Sequence, residues 1–273
     1  MNIQDVPHVV LVASGKGGVG KTTVASDIAR VASDLGHTVG LIDADISTPN
    51  TPEVVGGENG DLSEQRLSTG DALIPPEVNG IQLVSQGTVL PDDVPILRDG
   101  EWRATAVADY MENVEWSDDT DLVVVDTPPG TGEELQIIAS VAPVEHSFVV
   151  STPHPSSVRD ATKTHEFFKQ ADVPHSLIIN MAYIPGPQVA EAATEGIDFT
   201  DIDNVGDSTA QSIATKMREE TTRLPLFGWD GTDDLDIPVE VTATLPYTED
   251  FDARTVDLPG IVDSIVGRSE VEA

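Results

Sequence analysis

The most continuous apolar runs in the chain are short and end in polar residues. Val9-Val10-Leu11-Val12-Ala13 and Leu122-Val123-Val124-Val125 leave no polar position on either face, as expected of strands buried on both sides of a parallel sheet. Thr38 to Asp43, Ile81 to Ser85, Ser147 to Ser151, Ser176 to Asn180 and Val239 to Thr244 read as further strands. Between them the apolar period changes. Val24, Ile28, Val31 and Leu35 recur at helical spacing before Gly36, a residue suited to a helix stop. Helices are also expected at 104–114, 133–141, 158–171, 207–222 and 258–266. Alternation of this kind predicts an α/β fold, with a mostly parallel sheet, helices on both faces and ligands at the C-terminal strand ends. The pattern shows no linker, so one domain over residues 1–273 is expected. Residues 53–80 read as a polar surface excursion and 268–273 as a disordered tail.

The first strand runs into Ser14-Gly15-Lys16-Gly17-Gly18-Val19-Gly20-Lys21-Thr22-Thr23, which fits the phosphate-loop pattern G-x-x-x-x-G-K-[ST]. Phosphates need several N–H donors converging on a small volume. Glycines allow that curl, and a helix start adds unpaired N–H groups and partial positive charge. Lys21 can reach the β- and γ-phosphates, the Thr22 hydroxyl can ligate Mg²⁺, and Thr23 lines the helix start beside them. Gly15, Gly17 and Gly20 also satisfy the dinucleotide pattern G-x-G-x-x-G, with Asp43 where a ribose-binding acid would stand. Lys21-Thr22 directly after the last glycine favours a triphosphate with its metal.

Two further strand ends carry chemistry. Asp43-Ala44-Asp45 places two acids beside the loop, suited to Mg²⁺ and water. Asp126 closes the Leu122 strand as a Walker B acid does, and is followed by Thr127-Pro128-Pro129-Gly130, whose Gly130 N–H could sense a γ-phosphate. Asn180 ends a strand on the same edge, where its amide could offer a donor and an acceptor to a purine. Arg103 after Trp102 could touch a phosphate or a partner, although a solvated surface arginine is the favoured reading.

Composition narrows the function. Forty-eight acidic residues against 14 basic ones give a net charge of −34, which argues against a nucleic-acid surface. Self-repulsion on that scale is relieved by salt, since the Debye length falls from about 10 Å at 0.1 M to about 3 Å at 1 M, so a halophilic cytoplasm is expected. The absence of cysteine removes disulfides, thiolate nucleophiles and cysteine-ligated clusters. The six histidines have no metal-ligand spacing, and no nucleophile elbow occurs. No signal peptide or membrane span is visible, so a cytoplasmic location is expected.

Gly15 to Thr22 resembles the deviant Walker A motif of the MinD/ParA/Mrp class, which carries an extra lysine after the first glycine. Within that class, Asp43-Ala44-Asp45-Ile46, Trp102-Arg103, Val114-Glu115-Trp116, Asp126 to Gly132 and Asn180-Met181 are similar to the Mrp/ApbC family of cytosolic ATPases that carry iron–sulfur clusters. The resemblance implies an ATP-dependent homodimer with slow hydrolysis. Lys16 would reach the partner's nucleotide, Asp45 would orient the attacking water, and Thr22, Asp43 and Asp126 would hold the metal. Gly130 would report on the γ-phosphate and Asn180 would contact adenine. The loop from Gly15 through Gly17, Gly18, Val19 and Gly20 to Lys21 would bind ATP. In the cluster carriers a C-x-x-C pair follows Asn-Met, whereas here the chain reads Ala182-Tyr183-Ile184-Pro185-Gly186-Pro187-Gln188. No iron–sulfur cluster is therefore expected on this chain alone, and a cysteine-bearing Mrp homologue is a candidate partner. The family's proline after Trp-Arg-Gly is also missing after Arg103. A MinD/ParA-like spatial organiser that recruits a partner protein is the alternative reading.

Overall fold

A computed structural model of the chain describes residues 1–46, 49–56, 66–67, 73–85, 105, 107–108, 111–185, 223–225, 239–248, 251–255 and 257–267. The strands are β1 (His8–Ala13), β2 (Val39–Asp43), β3 (Arg66–Leu67), β4 (Leu73–Ile74), β5 (Glu77–Val78), β6 (Ile81–Ser85), β7 (Leu122–Asp126), β8 (His146–Ser151), β9 (His175–Ile179), β10 (Tyr183–Pro185), β11 (Arg223–Pro225) and β12 (Val241–Thr244). The helices are α1 (Lys21–Asp34), α2 (Thr51–Val54), α3 (Glu133–Val141), α4 (Pro155–Gln170), α5 (Phe251–Arg254) and α6 (Leu258–Val266).

Among the described residues, eight strands form one sheet in the order β12-β9-β8-β1-β7-β2-β6-β5. Every pairing in it is parallel except β5 with β6. The all-buried strands occupy the middle, as their unbroken apolar runs require. Alternate residues of β1 supply two cores. Val10 and Val12 pack with Val24 and Ile28 of α1 and Ile261 and Ile265 of α6. Val9, Leu11 and Ala13 pack with Leu135 and Ile138 of α3 and Phe168 of α4. The result is an α/β sheet covered on both faces.

Packing also shows in a residue that is missing a side chain. A methyl group on Gly40 in β2 would come 2.4 Å from the Trp116 ring, so the indole lies directly on the strand backbone. Trp116 is 2% exposed.

The expected excursion at 53–80 is only partly one. Val55 and Val78 are buried in the core, and Glu77–Val78 joins the sheet as its antiparallel edge. Such a two-residue strand carries no periodicity that a sequence pattern can register. The expected helix at 104–114 has helical backbone at 105, 107–108 and 111–113, with Val107 and Met111 buried. The helix expected from 158 begins earlier, at Pro155, with His154 as its cap. Trp102, Arg103, the expected helix at 207–222, Gly186 to Gln188 and the tail at 268–273 lie outside the described residues. Among those described, no helix is long and apolar enough to cross a membrane.

Candidate functional site

The C-terminal ends of β1, β2, β6, β7 and β8 converge on a polar rim, and the loop between β1 and α1 arches over it. Gly18 and Gly20 have φ of 80° and 81°, which curls the backbone back on itself. A methyl on Gly17, Gly18 or Gly130 would meet nothing within 4 Å, so the loop presents bare backbone to an open space. The other two loop glycines stand where neighbours crowd in. A methyl on Gly15 would come 2.1 Å from the Asp160 carbonyl oxygen, and one on Gly20 would come 2.2 Å from Nδ2 of Asn180. Helix α1 starts without a side-chain cap or an acid in its first turn, which leaves its N–H groups and partial positive charge for an anion.

The acids sit below the loop. Asp43 and Asp126 are register partners on adjacent strands, and both are buried. Lys21, 7% exposed, turns inward and donates to Asp126 Oδ1 at 2.5 Å. The Thr22 side chain also stands beside the Asp126 carboxylate. Asp43 Oδ2 accepts from the Ser85 hydroxyl at 3.0 Å and the Thr51 N–H at 3.3 Å, while Oδ1 accepts from the Asp45 N–H at 3.1 Å. Burial pushes the Asp43 carboxyl up to about 7, and the Asp126 charge adds to the rise. Ser85 and Thr51 pull it back in part. Burial raises Asp126 too, against the opposing pull of Lys21 and Thr22. Two carboxyls and one ammonium leave this spot short of positive charge.

Ser85 and Thr51 were not among the sequence candidates. Ser85 had a signal, since its strand ends in a polar residue as β2 and β7 do. Thr51, whose hydroxyl lies 3.5 Å from Asp126 Oδ2, had none.

The remaining candidates divide. Asp45 is half-buried beside this cluster, and its charge acts on Asp126. Val19 is buried and Thr23 is half-buried at the helix start. Lys16 points the other way, with its Nζ donating to the Ser156 hydroxyl of α4 at 2.8 Å. Two expectations need revision. The Gly130 N–H is not open, because it donates to the Ser14 carbonyl at 2.7 Å. The Asn180 amide is 3% exposed and its Nδ2 donates to the Val19 carbonyl at 2.9 Å, so its donor holds the loop. In both cases the loop backbone itself is the competing acceptor.

The residues fit a nucleotide triphosphate with magnesium. Exposed loop backbone and an uncapped helix start can take phosphates, and the charge deficit beside Asp43 and Asp126 can take a divalent cation. Among the described residues, no group of three or more His, Asp or Glu could hold a metal alone.

Comparison with known proteins finds relatives in sequence and in fold. The family model described as "ParA: NUBPL iron-transfer P-loop NTPase" matches residues 5–222. An iron–sulfur cluster carrier protein of Pyrococcus furiosus is 32% identical over 213 residues, covering 70% of this chain and 72% of its own length. One from Methanocaldococcus jannaschii is 37% identical over 177 residues, 63% of this chain and 59% of its own. The septum site-determining protein MinD of Pyrococcus horikoshii, solved with Mg-ADP, superposes with a TM-score of 0.59 at 16% identity, covering 97% of this chain and 99% of that one. The chain belongs to the ParA/NUBPL family of iron-transfer P-loop NTPases, alongside the Mrp/ApbC iron–sulfur cluster carriers.

Proposed function

We propose that the chain is a Mg-ATP-driven switch that closes as a homodimer and hydrolyses ATP slowly to ADP and phosphate. The observation that carries this reading is the opposed aim of the loop's two lysines. Lys21 is buried against the acids of its own subunit, and Lys16 stands outside them, exposed on the flank of the loop. In this reading the loop from Gly15 to Gly20 and Lys21 hold the phosphates, and Thr22, Asp43 and Asp126 hold magnesium. Bound magnesium neutralises phosphate charge. Asp45 orients the attacking water, Lys16 completes the partner's site, and Asn180 contacts adenine through the part of its amide that does not hold Val19. Binding of phosphate draws Lys21 off Asp126 and frees that carboxylate. Closure excludes water and strengthens each of these charge contacts.

With no cysteine in the sequence, the proposed link to iron–sulfur assembly runs through a cysteine-bearing partner that supplies the thiolates. The same absence supports the second reading, a MinD/ParA-like ATPase that recruits a partner protein without handling a cluster. Hydrolysis and calorimetry in concentrated and dilute KCl test the switch. Lys21→Ala should lose Mg·ATP binding, while Lys16→Ala should keep binding and lose hydrolysis. Wild-type turnover by Lys16→Ala would defeat the dimer reading. Anaerobic reconstitution with iron and sulfide, alone and with a cysteine-bearing homologue, separates the two readings by whether a visible cluster band appears.

A further inference from the structure

We infer that Ser156 and His154 form a resting dock that holds Lys16 against its own subunit and so limits how readily two copies close, an inference that rests on the dimer reading of Lys16 above. The three groups make a chain with a defined direction. The Ser156 N–H donates to His154 Nδ1 at 3.2 Å, so that ring nitrogen carries a lone pair. An ammonium has only donors, so the Ser156 hydroxyl must accept from Lys16 at 2.8 Å. Its own hydrogen then turns to the same His154 Nδ1, 2.9 Å away. Lys16 therefore donates to Ser156, and Ser156 donates to His154.

The dock is built on rigid parts. His154 is the N-cap of the 16-residue helix α4, with Pro155 fixing the first turn. The backbone of that helix touches the phosphate loop, since no side chain fits between Gly15 and Asp160. The base of Lys16 and its acceptor are thus held at a set separation. Lys16 also acts on Asp160, one turn beyond Ser156. The hydrogen bond from Lys163 is the main reason that carboxyl lies below its usual range, and the Lys16 charge adds to it.

The dock is also easily undone. The ammonium lies near the positive end of the α4 dipole, which opposes it, and water competes for the exposed hydrogen bond. A single contact of this kind biases Lys16 toward the docked position by about fivefold. One lysine from each copy must leave Ser156 before the pair can close, so the apparent dimer constant is weakened by that factor twice over, about 25-fold.

The test uses Ser156→Ala, which removes the acceptor, and Ser156→Thr, which keeps a hydroxyl. In nucleotide-free protein, amine acylation of Lys16 read by mass spectrometry, with Lys163 as internal reference, should speed up about fivefold in Ser156→Ala and stay near wild type in Ser156→Thr. The ATP-dependent dimer constant, from sedimentation, should tighten in Ser156→Ala by about 25-fold, since both copies are released. An unchanged acylation rate, or an unchanged or weaker dimer in Ser156→Ala, overturns the dock. If the wild-type chain forms no ATP-dependent dimer at all, the dimer reading falls instead, and the acylation arm still reports whether Lys16 is docked.

Discussion

Lys21 and Lys16 stand five residues apart on one loop and live in different solvents. Around Lys21 the strand tips exclude water, and its charge is matched to a carboxylate that is itself fully buried. Around Lys16 the partner is a hydroxyl on an exposed helix start. The same side chain is part of the structural core at one end and a movable arm at the other. Low dielectric makes an unmatched charge costly at the first site, while screening makes a contact easy to exchange at the second.

Removing each lysine in turn should break the comparison most widely. Lys21→Ala strands Asp126 as a buried charge, and chemical denaturation of nucleotide-free protein should show a loss of about 3–5 kcal/mol. Equal stability of Lys21→Ala and wild type would mean that the inner end is as wet as the outer one.

The carboxyls at the two ends give the next effect. Asp43 titrates near 7 in the folded chain against about 3.9 unfolded, so its contribution is fully present below pH ~4 and is lost as pH rises toward 7. The total is on the order of 4 kcal/mol, and Asp43→Asn should flatten that slope. Asp160, at the Lys16 end, has the opposite sign. Its contribution is present above the unfolded value and is lost as pH falls through its lowered one, so Asp160→Asn should leave the pH 4–7 slope unchanged.

A third comparison lies in the loop backbone. Gly15→Ala forces α4 away from the loop and should lower stability by about 1–3 kcal/mol, whereas Gly17→Ala, which faces open space, should stay within about 0.5 kcal/mol. At the outer end, Lys16→Ala should cost no more than about 1 kcal/mol by denaturation, what one exposed hydrogen bond supplies. A larger loss there would mean that Lys16 is a structural residue and not a movable one.

What the sequence pattern made legible was what short-range physics determines. Val9 to Ala13 and Leu122 to Val125 could only be buried strands, and glycine spacing followed by Lys21-Thr22 located the site between them. What it missed depends on distant partners. Asp27 lies among the apolar positions of α1 and is matched by Arg254, whose Nε and Nη2 lie 2.5 Å and 2.9 Å from its carboxylate oxygens, from 227 residues further along the chain. Nothing local announces that pairing, although a carboxylate inside an apolar stripe called for a cation. The start of α4 was readable and was placed late. Pro155 is a favoured first helical residue, but histidine is not among the usual caps. Gly130 and Asn180 were identified by position, yet what they touch without nucleotide depends on carbonyls of a loop whose path the pattern alone does not give.

The contact between Gly20 and Asn180 carries a consequence for the chain's history. Position 20 has no room for any side chain while position 180 holds an amide against Val19, and the backbone there already has the handedness that disfavours one. The two positions can therefore drift only together. A lineage that shortened residue 180 would release the constraint of space at residue 20 and at the same step unfasten the arch it supports, so neither substitution is accessible first without loss.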